Sequence, residues 1–399
     1  MALGGTIARS CEAGCVLTVD LAAAGAPTRG RLVRFEAWRE ELPNGAVTTR
    51  STVPPPRWGL AELSAPSDPD MEKAARLIGD FAIALRAPVT LRYSRLVSRR
   101  RMTDHAESWQ SRFIDVFALT GRIGLADGRF MSLGWSGHGD GFARLREGPD
   151  RTRIAWIARC AGAAAPTEPG LLPALLDPQP AALVAHEAVG HFSEAAADPA
   201  LDLRHRIGCR LAGDGFNVHD DPTLAGAARY AFDDEGTEPI GPTRILADGV
   251  LTQQLHSRRS AEAASTLPTA NSRAAQITLP PIPRLSNLVV PPGDTPRAAL
   301  IDSIGSGLLI HHLSHGFSRG IEIEARIVLA EEVARGRPTG RFFSGGRVSE
   351  RVDLLTRCVG RGTHSELSPN ALCGKHGQIL YDVGTVAPAL SLSGLRIAA

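Results

Sequence analysis

The feature of this sequence that most restricts its fold is a short segment, HEAVGH, at residues 186–191, which holds two histidines and one glutamate. The segment lies in a predicted helix that Asp177 can cap, for which Pro178 and Pro180 suit the first turn. The Asp-Pro pair at residues 198–199 is expected to end that helix. Neutral imidazole is a good zinc ligand, and a neighbouring glutamate can take a proton from water, so these residue types can form a metal site.

The spacing of the two histidines is unusual for a metal site on a helix. His186 and His191 are five positions apart, so at about 100° per residue their side chains would point about 140° apart in a regular α-helix. Both can reach one ion only if the helix contains a π-bulge or breaks, and Gly190 is the residue expected to tolerate that distortion. On spacing alone, a metal site and a pair of hydrogen-bonded helix histidines are equal alternatives.

A metal site here needs a further ligand from elsewhere, because a catalytic zinc has three protein ligands and one open position. The cysteine candidates are Cys209, Cys358 and Cys373. Cys373 is the most suggestive, since Gly374 leaves its thiol sterically open, although a single cysteine is more often a buried free thiol. Glu194, just after the motif, is an alternative oxygen ligand or a hydrogen-bond partner of a ligand.

A second group of histidines consists of His311, His312 and His315. His311 and His315 are four positions apart and could chelate a metal, but no base stands beside them in the sequence. We therefore expect a substrate-facing loop or surface histidines here rather than a second metal site.

Length and composition predict two domains. A chain of 399 residues is too long for one small core. Residues 161–173 are rich in small residues, proline and glycine, and we place the domain boundary there. The boundary gives an N-terminal domain at residues 1–165. A β-rich, mainly antiparallel C-terminal domain at residues 166–399 carries the motif helix.

Several individual elements can also be predicted. Apolar residues at helical spacing indicate a helix at residues 70–86, and a second helix is expected between Thr295 and Gly305. Asp-Gly pairs at residues 127–128 and 248–249 favour two-residue β-hairpin turns. The alternation of apolar and polar residues at 321–329 is typical of a strand.

Charge and cysteine content narrow the choice of partners and compartment. The net charge is +2, so neither nucleic acid nor an anionic membrane is expected as partner. The arginine run at residues 99–101 is expected in a solvated loop or strand end. No apolar stretch approaches the length of about 20 residues that spans a bilayer. Six cysteines spread along the chain favour a reducing, cytoplasmic environment.

At these residues the sequence resembles the TldD/PmbA family of metallopeptidases, also called modulators of DNA gyrase. HEAVGH resembles the metal-binding motif of the TldD branch, and CGKHGQ at residues 373–378 resembles the C-terminal block with a cysteine zinc ligand. Further family-like blocks follow in order: DDEGT at 233–237, NSR at 271–273, PRLSN at 283–287, PGD at 292–294 and SRG at 318–320, the last being more typical of the PmbA branch. The resemblance covers roughly residue 166 to the C-terminus.

The resemblance implies a specific site and assembly. It implies that His186, His191 and Cys373 bind one zinc ion and that Glu187 activates the water molecule that attacks the substrate. It also implies an α+β fold, with a mixed α/β domain at residues 1–165 and a β-rich domain at residues 166–399. A groove for extended peptide and a dimer are implied as well, the dimer being formed either by two copies or with a PmbA-like subunit.

Some features depart from the family pattern. The N-terminal third is short, and His376 stands where an acidic residue is frequent. The loop between Gly316 and Phe317 is shorter than usual. These differences affect the expected substrate and partner rather than the metal site.

Three functions follow as hypotheses. The first is a zinc-dependent peptidase that acts on extended or small peptide-like substrates. The second is a tailoring hydrolase that acts on a peptide-like intermediate in natural-product biosynthesis. The third is a non-catalytic partner or modulator subunit, and the presence of all four predicted metal and base positions argues against it.

Overall fold

The computed structural model describes residues 8–21, 29–41, 47–48, 66–103, 109–147, 150–195, 207–370 and 372–399. The helices are α1 (Asp68–Leu85), α2 (Phe142–Glu147), α3 (Asp150–Gly162), α4 (Pro178–Ala185), a π-helical turn (His186–Gly190), α5 (His191–Ser193), α6 (Arg258–Ala263) and α7 (Arg297–Ser303). The first strands are β1 (Ala8–Leu21), β2 (Arg29–Glu41), β3 (Val47–Thr48), β4 (Val89–Thr103), β5 (Trp109–Gly124) and β6 (Phe130–His138).

The remaining strands belong to the C-terminal part of the chain. They are β7 (Ala165–Pro166), β8 (Gly170–Leu176), β9 (Val218–Asp220), β10 (Thr243–Ala247), β11 (Val250–Leu251), β12 (Ser272–Arg273), β13 (Ile282–Pro283), β14 (Asn287–Val289), β15 (Gly307–Arg319), β16 (Glu322–Ala334), β17 (Arg337–Ser344), β18 (Arg347–Arg351), β19 (Cys358–Asn370), β20 (Cys373–Lys375), β21 (Gln378–Leu380) and β22 (Val383–Ala398).

The N-terminal strands form one antiparallel sheet of six strands in the order β3-β2-β1-β4-β5-β6. Helix α1 packs on it, as predicted for residues 70–86. Ala74, Ile78, Phe81 and Leu85 recur every three or four residues on α1 and are buried in one cluster with Leu17 of β1. Burial of this apolar stripe holds the helix on the sheet.

The C-terminal strands form a twelve-stranded sheet whose main path is β11-β10-β9-β14-β22-β8-β15-β16-β17-β7. Pairing is antiparallel except for β14 with β22, β15 with β8 and β17 with β7. Helix α4 packs against β22 and β15, and its buried residues join the larger apolar core. This arrangement confirms the predicted α+β class with a mainly antiparallel C-terminal sheet.

Most predicted local elements are confirmed. Helix α7 lies between Thr295 and Gly305, and β16 contains the alternating segment at residues 322–329. The pair Asp248 and Gly249 makes a two-residue turn, with both φ angles positive (52° and 76°). The turn at residues 127–128 also joins two strands, but its connection is longer, since Gly124 pairs with Phe130.

Three local predictions were wrong in whole or in part. The arginine run at residues 99–101 lies within β4, and Arg100 is only 2% exposed because Glu12 and Asp234 pair with it. The motif helix ends at Ser193, well before the predicted stop at residues 198–199. Asp177 occupies the N-cap of α4, but its side chain makes no capping hydrogen bond.

The change from one sheet to the other falls between β6 and β7. A domain boundary at residue 165 stays a prediction. None of the helices in the described ranges is long and apolar enough to cross a lipid bilayer.

Candidate metal centre

The histidine motif lies where α4 widens into a single π-helical turn. At its end the N–H group of His191 donates to the carbonyl of His186, which is the i to i+5 pattern of a π-helix. The added residue per turn brings the two imidazoles to the same side, with ring centroids 4.6 Å apart. The distortion that the five-residue spacing requires is therefore present.

Gly190 supports this turn for a different reason from the predicted one. Its backbone angles, φ −59° and ψ −68°, are open to any L-residue. A Cβ atom at this position, however, would lie 2.5 Å from Cδ1 of Leu285. Leu285 is fully buried, so glycine provides space for close packing rather than backbone freedom.

The structure brings Cys373 to the two histidines. Its Sγ atom lies 3.4 Å from Nε2 of His186 and 3.6 Å from Nε2 of His191. The three potential ligand atoms all lie within 4.8 Å of one another. Within the described ranges this is the one group of three or more such residues close enough to share a metal. Cys209 is exposed, and Cys358 lies on β19 and donates to the carbonyl of Gly360.

Neighbouring groups fix the orientation of the imidazoles. Nδ1 of His191 is 3.0 Å from Oε2 of Glu194, which leaves Nε2 to face the thiol. Glu194 is itself held by Lys375 at 2.8 Å and by the N–H group of Leu285 at 2.9 Å. Glu194 thus lies where a partner of a ligand was expected. Nδ1 of His186 lies 3.4 Å from the Thr385 hydroxyl.

Arg284 is a site residue that sequence reasoning did not identify. This arginine is fully buried, and its Nη2 atom lies 3.1 Å from Sγ of Cys373 and 2.5 Å from the Cys373 carbonyl. The only available signal was its place in the family-like block PRLSN. Arginine is rarely buried without a partner, and here the partners are the thiol and the carbonyl of Cys373. Arg284 is therefore part of the centre.

The charge of the centre suits a metal ligand set. Burial raises the pKa of Cys373, but the imidazoles of His191 and His186 lower it well below the ordinary value. The thiolate is the form of cysteine that binds metals. Two imidazoles and one thiolate, with one side open to a cavity, match the donor types and number of a catalytic zinc site.

Glu187 lies between the two histidines on the π-helical turn. Its side chain is 7% exposed and lines the same cavity as the histidines. Its Oε2 atom has no hydrogen-bond partner among the described residues. A Cβ atom on Gly316 would lie 3.0 Å from Oε1 of Glu187, so the β15 backbone packs closely against this carboxylate. A buried polar atom without a partner is costly, which indicates that water or a ligand contacts it in use.

A cavity of about 1330 Å³ opens in front of these residues. Strands β4, β5 and β6 of the first sheet line one part of it, whereas the motif helix, β15 and the β20 segment line the other. The cavity is therefore built by both sheets. Its volume exceeds the range of about 300–1,000 Å³ that is usual for drug-sized ligands, and an extended peptide needs such room.

The second histidine group lies in strand β15 and not in a loop. His311 is buried, with its ring nitrogens 2.9 Å from Asp177 and 3.0 Å from Glu331. His312 and His315 line the cavity, and their contact with a substrate stays a prediction. Burial lowers the pKa of His312 to about 4, so this side chain is neutral at pH 7.

Sequence comparisons identify known proteins that this chain resembles. A family model described as the PmbA/TldA metallopeptidase C-terminal domain matches residues 169–399. The chain is 33% identical over 227 residues to a metalloprotease of Methanocaldococcus jannaschii, covering 54% of this chain and 48% of that protein. It is 28% identical over 241 residues to a zinc metalloprotease TldD homolog of Saccharolobus solfataricus, covering 57% and 52%.

The fold is also found among solved structures. TldE from Thermococcus kodakarensis superposes with a TM-score of 0.71 over 98% of this chain and 96% of that chain, at 12% identity. The chain spans about half the length of the curated relatives that it matches. Because the family model covers more than half of the residues, the chain belongs to the TldD/PmbA family of metallopeptidases.

Proposed function

We propose that this protein is a zinc-dependent peptidase in which His186, His191 and Cys373 hold one zinc ion and Glu187 is the general base. The observation that supports this most is the meeting of Cys373 with two histidines that lie 182 and 187 positions earlier in the chain. Burying three polar side chains together costs desolvation free energy that apolar residues in the same space would not. A shared ligand explains why these three side chains are there.

The donor set fits zinc better than a hard cation. Two neutral imidazoles and a thiolate are typical of zinc, whereas magnesium and calcium prefer oxygen ligands. When bound, zinc would supply a Lewis acid that polarises the scissile carbonyl and makes water more acidic. The thiolate and the nearby Glu194 carboxylate would reduce the positive charge of such a site. Water at the site would then be less acidic, so a separate base is needed to take its proton.

Glu187 meets the requirements for that base. Its Oε2 atom accepts the proton of the attacking water while the water oxygen forms a bond to the peptide carbonyl carbon. The carbon–nitrogen bond then breaks, and the same carboxyl oxygen returns the proton to the leaving amine. The absence of a hydrogen-bond partner for Oε2 among the described residues supports this role, because a carboxylate already bound by donors would be a weaker base.

The substrate class follows from the cavity. Its volume and its lining by two sheets suit extended or small peptide-like molecules. For assembly, we propose a PmbA/TldD-type partner subunit, either a second copy or a different PmbA-like chain, because a TldE protein shares the fold. Light scattering of the purified protein, with and without a PmbA-like chain, distinguishes the two arrangements.

The proposal is tested by replacing the base and one ligand. Glu187→Gln should keep about one zinc per chain and lower peptide turnover by about 100-fold or more. Cys373→Ala should lose zinc while its circular dichroism spectrum is unchanged.

Two variants serve as matched controls. Glu262→Gln changes an exposed carboxylate on α6, and Cys209→Ala removes an exposed thiol. Both should behave like the wild-type protein. Full turnover by Glu187→Gln, or full zinc content in Cys373→Ala, would contradict the assigned roles.

A further inference from the structure

Part of the cavity wall carries positive charge and hydroxyl groups instead of apolar residues. It is formed by Arg122 on β5, Ser132 on β6, and Ser314 and His315 on β15, all of which line the cavity. We call these four residues the Arg122 cluster. The cluster joins the edge strand of the first sheet to the second sheet, so it exists only in the assembled fold.

Direct contacts hold the cluster together. Nε2 of His315 lies 3.2 Å from the Ser132 hydroxyl, and its Nδ1 lies 3.1 Å from the Ser314 hydroxyl. Arg122 is directly opposite Ser132 in the β5–β6 ladder, so both side chains stand on the same face of the sheet. The Arg122 guanidinium lies 4.5 Å above the ring of Phe130, and this stacking leaves its N–H edge open.

The positive charge of Arg122 is not neutralised within the described residues, where it has no ion pair with a carboxylate. Among the described residues, four carboxylates line the cavity. Asp20 lies 2.6 Å from Arg92 and Glu194 lies 2.8 Å from Lys375, whereas Glu187 and Glu366 form no ion pair with a described residue. A second guanidinium adds to the field: Arg326 is opposite Ser314 in the β15–β16 ladder. Burial lowers the pKa of His315, and Arg326 and Arg122 lower it further. The surroundings of the cluster therefore attract an anion.

The cluster adjoins the proposed general base. His315 has a φ angle of 50°, an uncommon conformation for a residue other than glycine. The next residue, Gly316, packs against Glu187, as its absent Cβ would lie 3.0 Å from Oε1. Strain of this kind is typical of binding and catalytic sites, where the surrounding structure holds it in place. An anion bound by the cluster would lie close to the bond that is cut.

We propose that the Arg122 cluster binds a carboxylate group of the substrate, so that the preferred substrates are peptides with a free carboxylate near the scissile bond. Guanidinium and carboxylate form paired, charge-assisted hydrogen bonds. A neutral His315 donates to one of its two serine partners and accepts from the other, so the hydroxyl of the serine that accepts can supply a further donor. The carboxylate is either the C-terminal α-carboxylate of the peptide or the side chain of an aspartate or glutamate. This inference rests on the proposed peptidase function, and the experiment separates the two.

The test measures binding of four fluorescent hexapeptides to the zinc-loaded Glu187→Gln protein by anisotropy. One peptide has a free C-terminus, one is amidated, one is amidated with a single aspartate, and one has asparagine in place of that aspartate. A carboxylate peptide should bind at least about tenfold more tightly than its neutral counterpart. The free-acid pair reports on the α-carboxylate, whereas the aspartate–asparagine pair reports on a side chain.

Variants of Arg122 show whether this preference belongs to the cluster. Arg122→Gln, in the same background, should remove the preference, and Arg122→Lys should keep part of it because it retains charge but not paired geometry. Arg259→Gln, which removes an exposed arginine on α6, is the matched control and should keep the full preference. If Arg122→Gln fails to fold, a salt titration of the unmodified site serves instead, because the preference should shrink as salt screens the charges.

The outcomes are distinct. Equal binding of all four peptides, or a preference that survives in Arg122→Gln or in high salt, would overturn the carboxylate site. A preference in binding without turnover by the wild-type protein would uphold the carboxylate site and contradict the peptidase function. Turnover without any preference would do the reverse.

Discussion

Replacing Gly190 by alanine tests whether close packing, rather than flexibility, explains the glycine of the π-helical turn. The added Cβ would lie 2.5 Å from Cδ1 of Leu285, well inside the separation of about 3.5–4.0 Å at which carbon atoms attract. Leu285 is fully buried and cannot turn towards solvent. Overpacking of this kind costs about 1–3 kcal/mol of unfolding free energy.

A second effect acts in the opposite direction. The backbone of Gly190 is helical, so alanine there should stabilise the folded state by about 1 kcal/mol through its better helix propensity. The net expectation is a loss of about 0–2 kcal/mol. Movement of Leu285 should also weaken zinc binding, because its N–H group lies 2.9 Å from Oε1 of Glu194, the partner of His191.

A double-mutant cycle isolates the contact. In a Leu285→Ala background the space is open, so Gly190→Ala should there be stabilising by about 1 kcal/mol. Urea unfolding of the zinc-free proteins gives the four free energies, and competition with a chelator gives zinc affinity. Gly79→Ala is the matched control, because its Cβ would contact nothing within 4 Å and it lies inside α1. If Gly190→Ala stabilises the wild-type protein as much as Gly79→Ala does, the packing argument is wrong.

Two further predictions concern the neighbours of the centre, and a third concerns the buried carboxylate of Asp234. Glu194→Gln should weaken zinc binding about 10- to 100-fold, measured by chelator competition, because the partner of a ligand loses its charge. Gly316→Ala should lower kcat about 10- to 100-fold with zinc content unchanged, since its Cβ would displace Glu187. Burial raises the pKa of Asp234, but the Arg100 guanidinium outweighs this effect and holds that pKa below its usual range. The stability that Asp234 provides is thus present above about pH 4 and lost as the pH falls further. Asp234→Asn should therefore cost about 3 kcal/mol at pH 7 and progressively less in acid unfolding series.

The sequence identified much of the fold because local signals and tertiary structure agree there. The apolar spacing of α1, the Asp248–Gly249 turn and the alternation in β16 each reflect a short-range rule that burial reinforces. The end of the motif helix did not follow such a rule. Its chain leaves the helical path after Ser193, where Glu194 pairs in parallel with Leu255 and its carboxylate turns to His191. Long-range contacts therefore ended the helix before the Asp-Pro signal was reached.

The donor types of the site could be identified from sequence, but their geometry could not. Residue spacing showed that His186 and His191 needed a distorted helix, and left open whether the distortion occurs. The π-helical turn packs against Leu285 and faces Cys373, which are about 90 and 180 residues away in sequence. Residue chemistry made Cys373 one of three cysteine candidates for a further ligand, and the resemblance selected it over Cys209 and Cys358. Arg284 and Thr385 could not be identified, because neither residue type signals its own burial next to a metal ligand.

Two arginines on neighbouring strands show why charge in a sequence does not reveal its use. Arg100 on β4 is buried and neutralised by Glu12 and Asp234, so it joins the first sheet to the loop at residues 233–237. Arg122 on β5 faces the cavity, and no described carboxylate pairs with it. Both occur in strands of alternating polarity, where an arginine is normally assigned to the solvent side. The two arginines differ in whether the fold places a carboxylate beside them. Arg100 has such carboxylates and connects parts of the fold, whereas the proposed partner of Arg122 is a carboxylate of the substrate.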